Sequence, residues 1–232
     1  MTGLIVALDT PDLHRAEGWA AAVAPHCGML KLGLEFFLAN GAAGVRGITQ
    51  RPVFLDLKLH DIPNTVAGGV RAVLNLRPTF LTLHAAGGAA MIEAARFAAE
   101  AAGAQRPKLL AVTVLTSIDA ATLHATGVAG GPRQQVLRLA RLALSAGADG
   151  LVCSPHEVAM LRDALGGAPL LVVPGIRPTG SDHGDQARAM TPRMAAEAGA
   201  SWIVVGRPIT GAPDPAAAAA AIRHEIATET AG

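Results

Sequence analysis

Tyrosine is absent from this chain, and aromatic residues of every kind make up only 3% of it, with five Phe and two Trp. No phenol can act as acid or base here. Cysteine is scarce as well. Cys27 and Cys153 cannot build a disulfide framework, and Cys153 lies in the apolar run Gly150-Leu151-Val152-Cys153, where it reads as a small core residue. No apolar run approaches the roughly 18 residues of a membrane span, and the first such run, Leu4 to Leu8, ends at Asp9. A soluble cytoplasmic protein with no membrane partner is expected. Neither sign of charge dominates: 19 basic residues face 18 acidic ones, for a net charge of +1 and no basic block. Nucleic acid is therefore not an expected partner. No His-x-x-x-His or carboxylate-histidine cluster marks a metal site, and no Gly-rich nucleotide loop follows a strand. A Gly-x-Ser-x-Gly elbow is also missing, which argues against serine-hydrolase chemistry. The expectation is an activity with no metal and no organic cofactor.

What the chain does contain is apolar material for a large core: 51% hydrophobic and only 16% charged residues over 232 positions. That balance argues against disorder. Short apolar, β-branched runs fall near residues 3–8, 28–33, 52–58, 79–84, 108–115, 149–153, 169–174 and 201–205. Between them lie Ala-, Leu- and Arg-rich stretches with helical character, near 12–25, 35–48, 64–76, 89–103, 133–146, 156–165, 191–198 and 214–228. Strand–helix alternation repeated eight times implies parallel strands with right-handed crossovers. The reading is an α/β protein, a closed (β/α)8 TIM barrel forming a single domain over residues 1–232, with a doubly wound open sheet as the alternative. Residues 176–191, rich in Gly, Asp and Ser, form a long loop of the kind that covers or binds ligands, or else a tolerant surface excursion.

Residues 53–65, VFLDLKLHDIPNT, break the rule for a buried parallel strand, which should be apolar throughout. Asp56 and Lys58 interrupt the apolar run, and Asp61 follows just past it. Period-two alternation expects Asp56 and Lys58 on one face. Buried charges are tolerated only when paired and hydrogen-bonded, so carboxylates bracketing an ammonium at a strand end point to a site; a structural ion pair or helix cap is the plainer reading.

The other strand ends strengthen the first view. They carry Asp9, Lys31, His84, Thr116, Ser154, Gly175 to Arg177, and Gly206 with Arg207, whereas the strand starts look bland. Barrel active sites occupy the C-terminal ends of the strands, and phosphate often binds after strands seven and eight. Pro174-Gly175-Ile176-Arg177 and Val205-Gly206-Arg207-Pro208 stand at those two places. Glycine admits an anion to the backbone and arginine supplies a fork of donors. Asp9 and Lys31 flank Asp56 and Lys58, so an alternating chain Lys31, Asp56, Lys58, Asp61 could form and favour charged lysines. Asp9 could alternatively cap the first helix ahead of Pro11. Of eight histidines only His60 and His84 lie near the expected mouth.

Taken in order, these segments resemble the orotidine 5′-phosphate decarboxylase family over nearly the whole chain: ALD at 7–9, KLG at 31–33, FLDLKLHDIPNTV at 54–66, HAAGG at 84–88, VTVLTS at 112–117, PGIRP at 174–178, DQ at 185–186 and VGRPI at 205–209. The resemblance implies decarboxylation of orotidine 5′-monophosphate to UMP without a cofactor. It also implies roles. Asp9 and Lys31 would bind ribose hydroxyls, with Lys31 also holding Asp56. Asp56 and Lys58 would face the carboxylate and carbon 6 of the pyrimidine. Asp61, with Ile62 and Thr65, would reach into the partner's site in a homodimer. Thr116 would contact the pyrimidine, and Arg177, Gln186, Gly206 and Arg207 the phosphate.

Three rivals remain. Magnesium-dependent 3-keto-gulonate 6-phosphate decarboxylases and hexulose phosphate synthases resemble the Asp-x-Lys-x-x-Asp element, but Ile-Pro-Asn-Thr after Asp61 departs from their pattern. A Schiff-base aldolase would need Lys58 neutral, which flanking carboxylates oppose. A non-catalytic nucleotide-binding scaffold has no need of an intact Asp56 and Lys58.

Overall fold

The computed structural model describes residues 1–48, 50–178 and 190–227. Eight parallel strands close on themselves in sequence order: β1 Gly3–Ala7, β2 Met29–Gly33, β3 Val53–Leu59, β4 Phe80–His84, β5 Lys108–Val112, β6 Gly150–Val152, β7 Leu170–Val173 and β8 Trp202–Val205. Around them run α1 Leu13–Val23, α2 Leu34–Gly47, α3 Pro63–Val73, α4 Ala89–Glu100, α5 Ala120–Ala125, α6 Pro132–Ser145, α7 Val158–Leu165, α8 Pro192–Glu197, α9 Arg207–Thr210 and α10 Pro215–Ala227. The closed barrel replaces the open-sheet alternative, and each of the eight apolar runs became a strand. Two short helices, α5 and α9, were not anticipated; at six and four residues they carry too little periodicity to show in a sequence.

Alternation divides the strand residues between two cores. Outward-facing side chains such as Leu4, Leu30, Leu55 and Leu81 are fully or almost fully buried under the helices. Inward-facing ones fill the barrel: Ile5, Ala7, Met29, Phe54, Phe80, Leu110, Val172 and Val204. Three of the seven aromatics meet there, with Phe54 against Phe80 and Phe80 against Trp202 in edge-to-face contacts at 5.7 and 5.9 Å. Two residues further along the same strands, the inward positions become Lys31, Asp56 and Thr82. The apolar plug thus forms a floor, and a polar layer stands on it toward the C-terminal mouth.

The expectation of bland strand starts was wrong. At the opposite end of the barrel, Arg106 pairs with Asp149 through two bonds of 2.8 and 2.7 Å, and Asp149 also accepts the N–H of Leu109 at 2.8 Å. Arg162, near the end of α7, donates to the carbonyls of Gly199 and Pro169 and to Ser201. Arg106 lies just before β5, Asp149 just before β6 and Arg162 on α7, so none of the three falls on a strand proper. Asp9 is not the helix cap either: Asp12 is, accepting the N–H of Arg15.

Candidate active site

The charges on β2 and β3 converge on one carboxylate. Lys58 Nζ lies 2.8 Å from Asp56 Oδ2, Lys31 Nζ lies 3.5 Å from the same oxygen, and Lys31 Nζ also meets Asp9 Oδ1 at 2.8 Å. Lys31 and Asp56 keep only 10% and 13% of their side-chain surface exposed. Burial opposes charge on both. For Asp56 it pushes the carboxyl up, but Lys31 and Lys58, with hydrogen bonds from Lys58 and Thr82, outweigh it and hold the group below the usual aspartate range. For Lys31 burial pushes down, and Asp56 and Asp9 overcome it, raising the ammonium above an ordinary lysine. Mutual pairing favours the charged forms of Asp56 and Lys31.

Gly33, which closes the KLG segment, has a packing reason. A Cβ there would stand 3.0 Å from Asp9 Oδ1 and 3.1 Å from Lys31 Nζ, pressing on the ion pair. Lys58 reaches Asp56, but not by simple alternation. It adopts φ +49°, and between Leu55 and Leu59 four steps along β3 match two along β4. The strand bulges where the chemistry sits, as strained sites often do.

Asp9, Lys31, Asp56, Lys58, Thr116, Gly175, Arg177, Gly206 and Arg207 line one cavity of about 300 Å³ at the mouth. Apolar walls come from Val112, Val114, Leu115, Val152 and Val172. Arg177 is buried, and its Nη1 donates to the Ile176 carbonyl at 2.9 Å. Gly175 has φ +79°, a turn that a side chain would strain. Gly206 precedes the short helix α9, so both candidate phosphate loops open on the same cavity as the lysines. Cys153 is buried as expected, yet it also lines this cavity; burial holds its thiol far above the usual range.

Asp61, Ile62 and Thr65 stand apart. All three are exposed and none lines the cavity. Asp61 accepts the N–H of Ile62 at 2.7 Å, and among the described residues it forms no ion pair, so the four-membered chain of charges stops at Lys58 within one subunit. Gln186 lies outside the described residues. Ser154 caps a turn through Glu157 instead of facing the cavity. His84 is half-buried, with its ring 5.3 Å from that of His60; burial first, then His60 and Lys58, lower its pKa against an opposing pull from Asp56. Thr82 was missed: its hydroxyl donates to Asp56 Oδ1 at 3.0 Å and accepts the N–H of Lys58 at 2.9 Å. No sequence signal marks a threonine in a strand as functional, because threonine is an ordinary strand residue. Among the described residues no group of three or more His, Cys, Asp or Glu gathers to hold a metal, and no helix is long and apolar enough to cross a membrane.

Known proteins resemble this chain over nearly its whole length. An orotidine 5′-phosphate decarboxylase of Gluconobacter oxydans is 57% identical over 231 residues, covering 98% of both chains. One of Anaeromyxobacter dehalogenans is 59% identical over 221 residues, covering 94% of this chain and 96% of its own. The crystal structure of orotidine 5′-phosphate decarboxylase from Lactobacillus acidophilus superposes with a TM-score of 0.87 at 43% identity, covering 98% of this chain and all of that one. A family model described as orotidine 5′-phosphate decarboxylase / HUMPS matches residues 2–222. By these likenesses and by its barrel, the chain belongs to the orotidine 5′-phosphate decarboxylase / HUMPS family.

Proposed function

We infer that the chain is an orotidine 5′-phosphate decarboxylase, an enzyme converting orotidine 5′-monophosphate to UMP in pyrimidine biosynthesis. The observation that carries the mechanism is the ammonium of Lys58 held 2.8 Å from a carboxylate that a second ammonium already shares. Breaking the bond between carbon 6 and the carboxylate releases carbon dioxide and leaves the electron pair on a ring carbon. Lys58 stabilises that pair as it develops and then gives it a proton, forming the new C–H bond. Because the ammonium is fixed before substrate arrives, little reorganisation accompanies the reaction. Asp56 keeps Lys58 charged and aimed, and Lys31 keeps Asp56 ionised while presenting, with Asp9, donors and acceptors to the ribose.

Arg177, Gly206 and Arg207 take the 5′-phosphate, with Gln186 as a further contact, and Thr116 meets the pyrimidine. The phosphate lies away from the reacting carbon, but its binding energy can hold the base in register. No metal or organic cofactor takes part in this scheme. The protein acts as a cytoplasmic homodimer in which Asp61, flanked by Ile62 and Thr65, completes the neighbouring site. Support for the dimer comes from the outward-facing Asp61 and from two large exposed apolar side chains, Ile62 before α3 and Phe97 on α4, on helices that pack together.

The test follows orotidylate absorbance with purified protein, with and without a chelator. Loss of absorbance unaffected by the chelator is the expected result. Inertness toward orotidylate, with magnesium-dependent turnover of a keto sugar phosphate, would assign the chain to the other branch of the family.

A further inference from the structure

We propose that Thr82 is a positioning residue that sets both the backbone of Lys58 and the carboxylate of Asp56. The proposal rests on the decarboxylase reading above. Thr82 follows Phe80 by two residues on β4, so its side chain points into the barrel, where it is fully buried. Across from it β3 leaves the ladder: Leu55 pairs with Leu81 and Leu59 with Leu83, and the residues between have no matching partner on β4. The N–H of Lys58 would be an orphan there. Thr82 Oγ1 accepts it at 2.9 Å, and a side chain takes the place of the missing backbone rung.

A hydroxyl has a single hydrogen. With its oxygen occupied by the Lys58 N–H, that hydrogen points to Asp56 Oδ1 at 3.0 Å. This contact assigns the two oxygens of Asp56: Oδ1 to threonine, Oδ2 to the ammoniums of Lys58 and Lys31. One side chain therefore fixes the base of the Lys58 side chain and the anchor at its tip. It also holds φ +49° at Lys58, a conformation that residues other than glycine adopt rarely. Thr82 does not line the mouth cavity; it acts through its two neighbours.

Thr82→Val keeps the shape and removes both bonds, whereas Thr82→Ser keeps both. The valine variant should lose about 10- to 100-fold in kcat with KM for orotidylate changed by less than about threefold, the pattern of a group whose effect appears in the transition state. The serine variant should stay within about threefold of the native kcat. Thr82→Cys, with a weak donor and acceptor at the same place, should fall in the same direction and replaces the valine variant if that chain does not fold. Amide hydrogen exchange at Lys58, read without substrate, should quicken by about tenfold or more in the valine or cysteine variant and not in the serine one. Native kcat in the valine or cysteine variant, serine as poor as valine, or unchanged protection at Lys58 would each overturn the role. If the native chain left orotidylate untouched, the decarboxylase reading would fall, and exchange at Lys58 would still decide what Thr82 does.

Discussion

The two ends of the barrel both carry clustered charges, and they use them differently. At the strand starts, Asp149 spends its oxygens on a bidentate arginine and a backbone N–H, and Arg162 spends its donors on carbonyls and a serine. These contacts tie strands to one another and none lines the mouth cavity. At the strand ends, one carboxylate serves two ammoniums, and Asp9, Lys31, Asp56 and Lys58 all border open space. Charge by itself says little. What separates a staple from a site is whether the groups exhaust one another or keep capacity aimed at a cavity.

The largest effect that could break this contrast concerns the proposed sharing of the mouth between two subunits. Asp61→Ala and Lys58→Ala homodimers should each be nearly inactive. After mixing and verified subunit exchange, about half the dimers are mixed and each has one native site, so roughly a quarter of native activity should return by two-fold symmetry. No recovery despite exchange would place Asp61 in its own subunit's site or outside any.

Next comes the staple. Asp149→Ala strands the Leu109 N–H and leaves Arg106 only Glu100 and the Pro107 carbonyl, and denaturant unfolding should show a loss of about 1–3 kcal/mol, as for donors left unsatisfied. A loss near zero would mean that the lower cluster is ornamental.

On the proposed phosphate wall, Arg207→Ala should weaken transition-state binding by about 1.5–3 kcal/mol, the range for a hydrogen bond to a charged group. Steady-state kcat/KM measures it, and added phosphite dianion should partly restore turnover of a substrate lacking its phosphate. Equal handling of phosphorylated and truncated substrates by the native chain would remove the phosphate site from this end.

The smallest effect is one of pH. Asp56 titrates below its unfolded value, so its contribution to stability is complete above about pH 4 and lost as pH falls through the lower folded value. Lys31 titrates above its unfolded value, so its contribution is complete below about pH 10 and lost as pH rises through the higher one. The gap in Tm between the native chain and Lys31→Ala should therefore stay level from about pH 5 to about pH 9. A gap that closes between pH 6 and 8 would show that a histidine, not this pairing, governs the mouth.

The barrel was legible because strands buried on both faces read as mainly apolar runs, and each of the eight runs formed a strand of the closed barrel. Lys31, Asp56 and Lys58 were legible because charge in such a run needs a reason. Alternation places Asp56 correctly above Phe54 but does not account for Lys58, whose positive φ has no sequence mark. Thr82 stayed hidden as one more strand threonine. The Arg106–Asp149 pair was missed because its members, 43 positions apart, meet only once the barrel closes.

Orotidylate turnover by Lys58→Ala and Asp149→Ala, measured side by side at a temperature where both are folded, tests the division of labour most directly. The Lys58 variant should lose turnover by a factor on the order of 10²–10³ or more, as when a preorganised donor is removed, and the Asp149 variant should stay within about threefold of native. Comparable losses in both, or native turnover without Lys58, would contradict it.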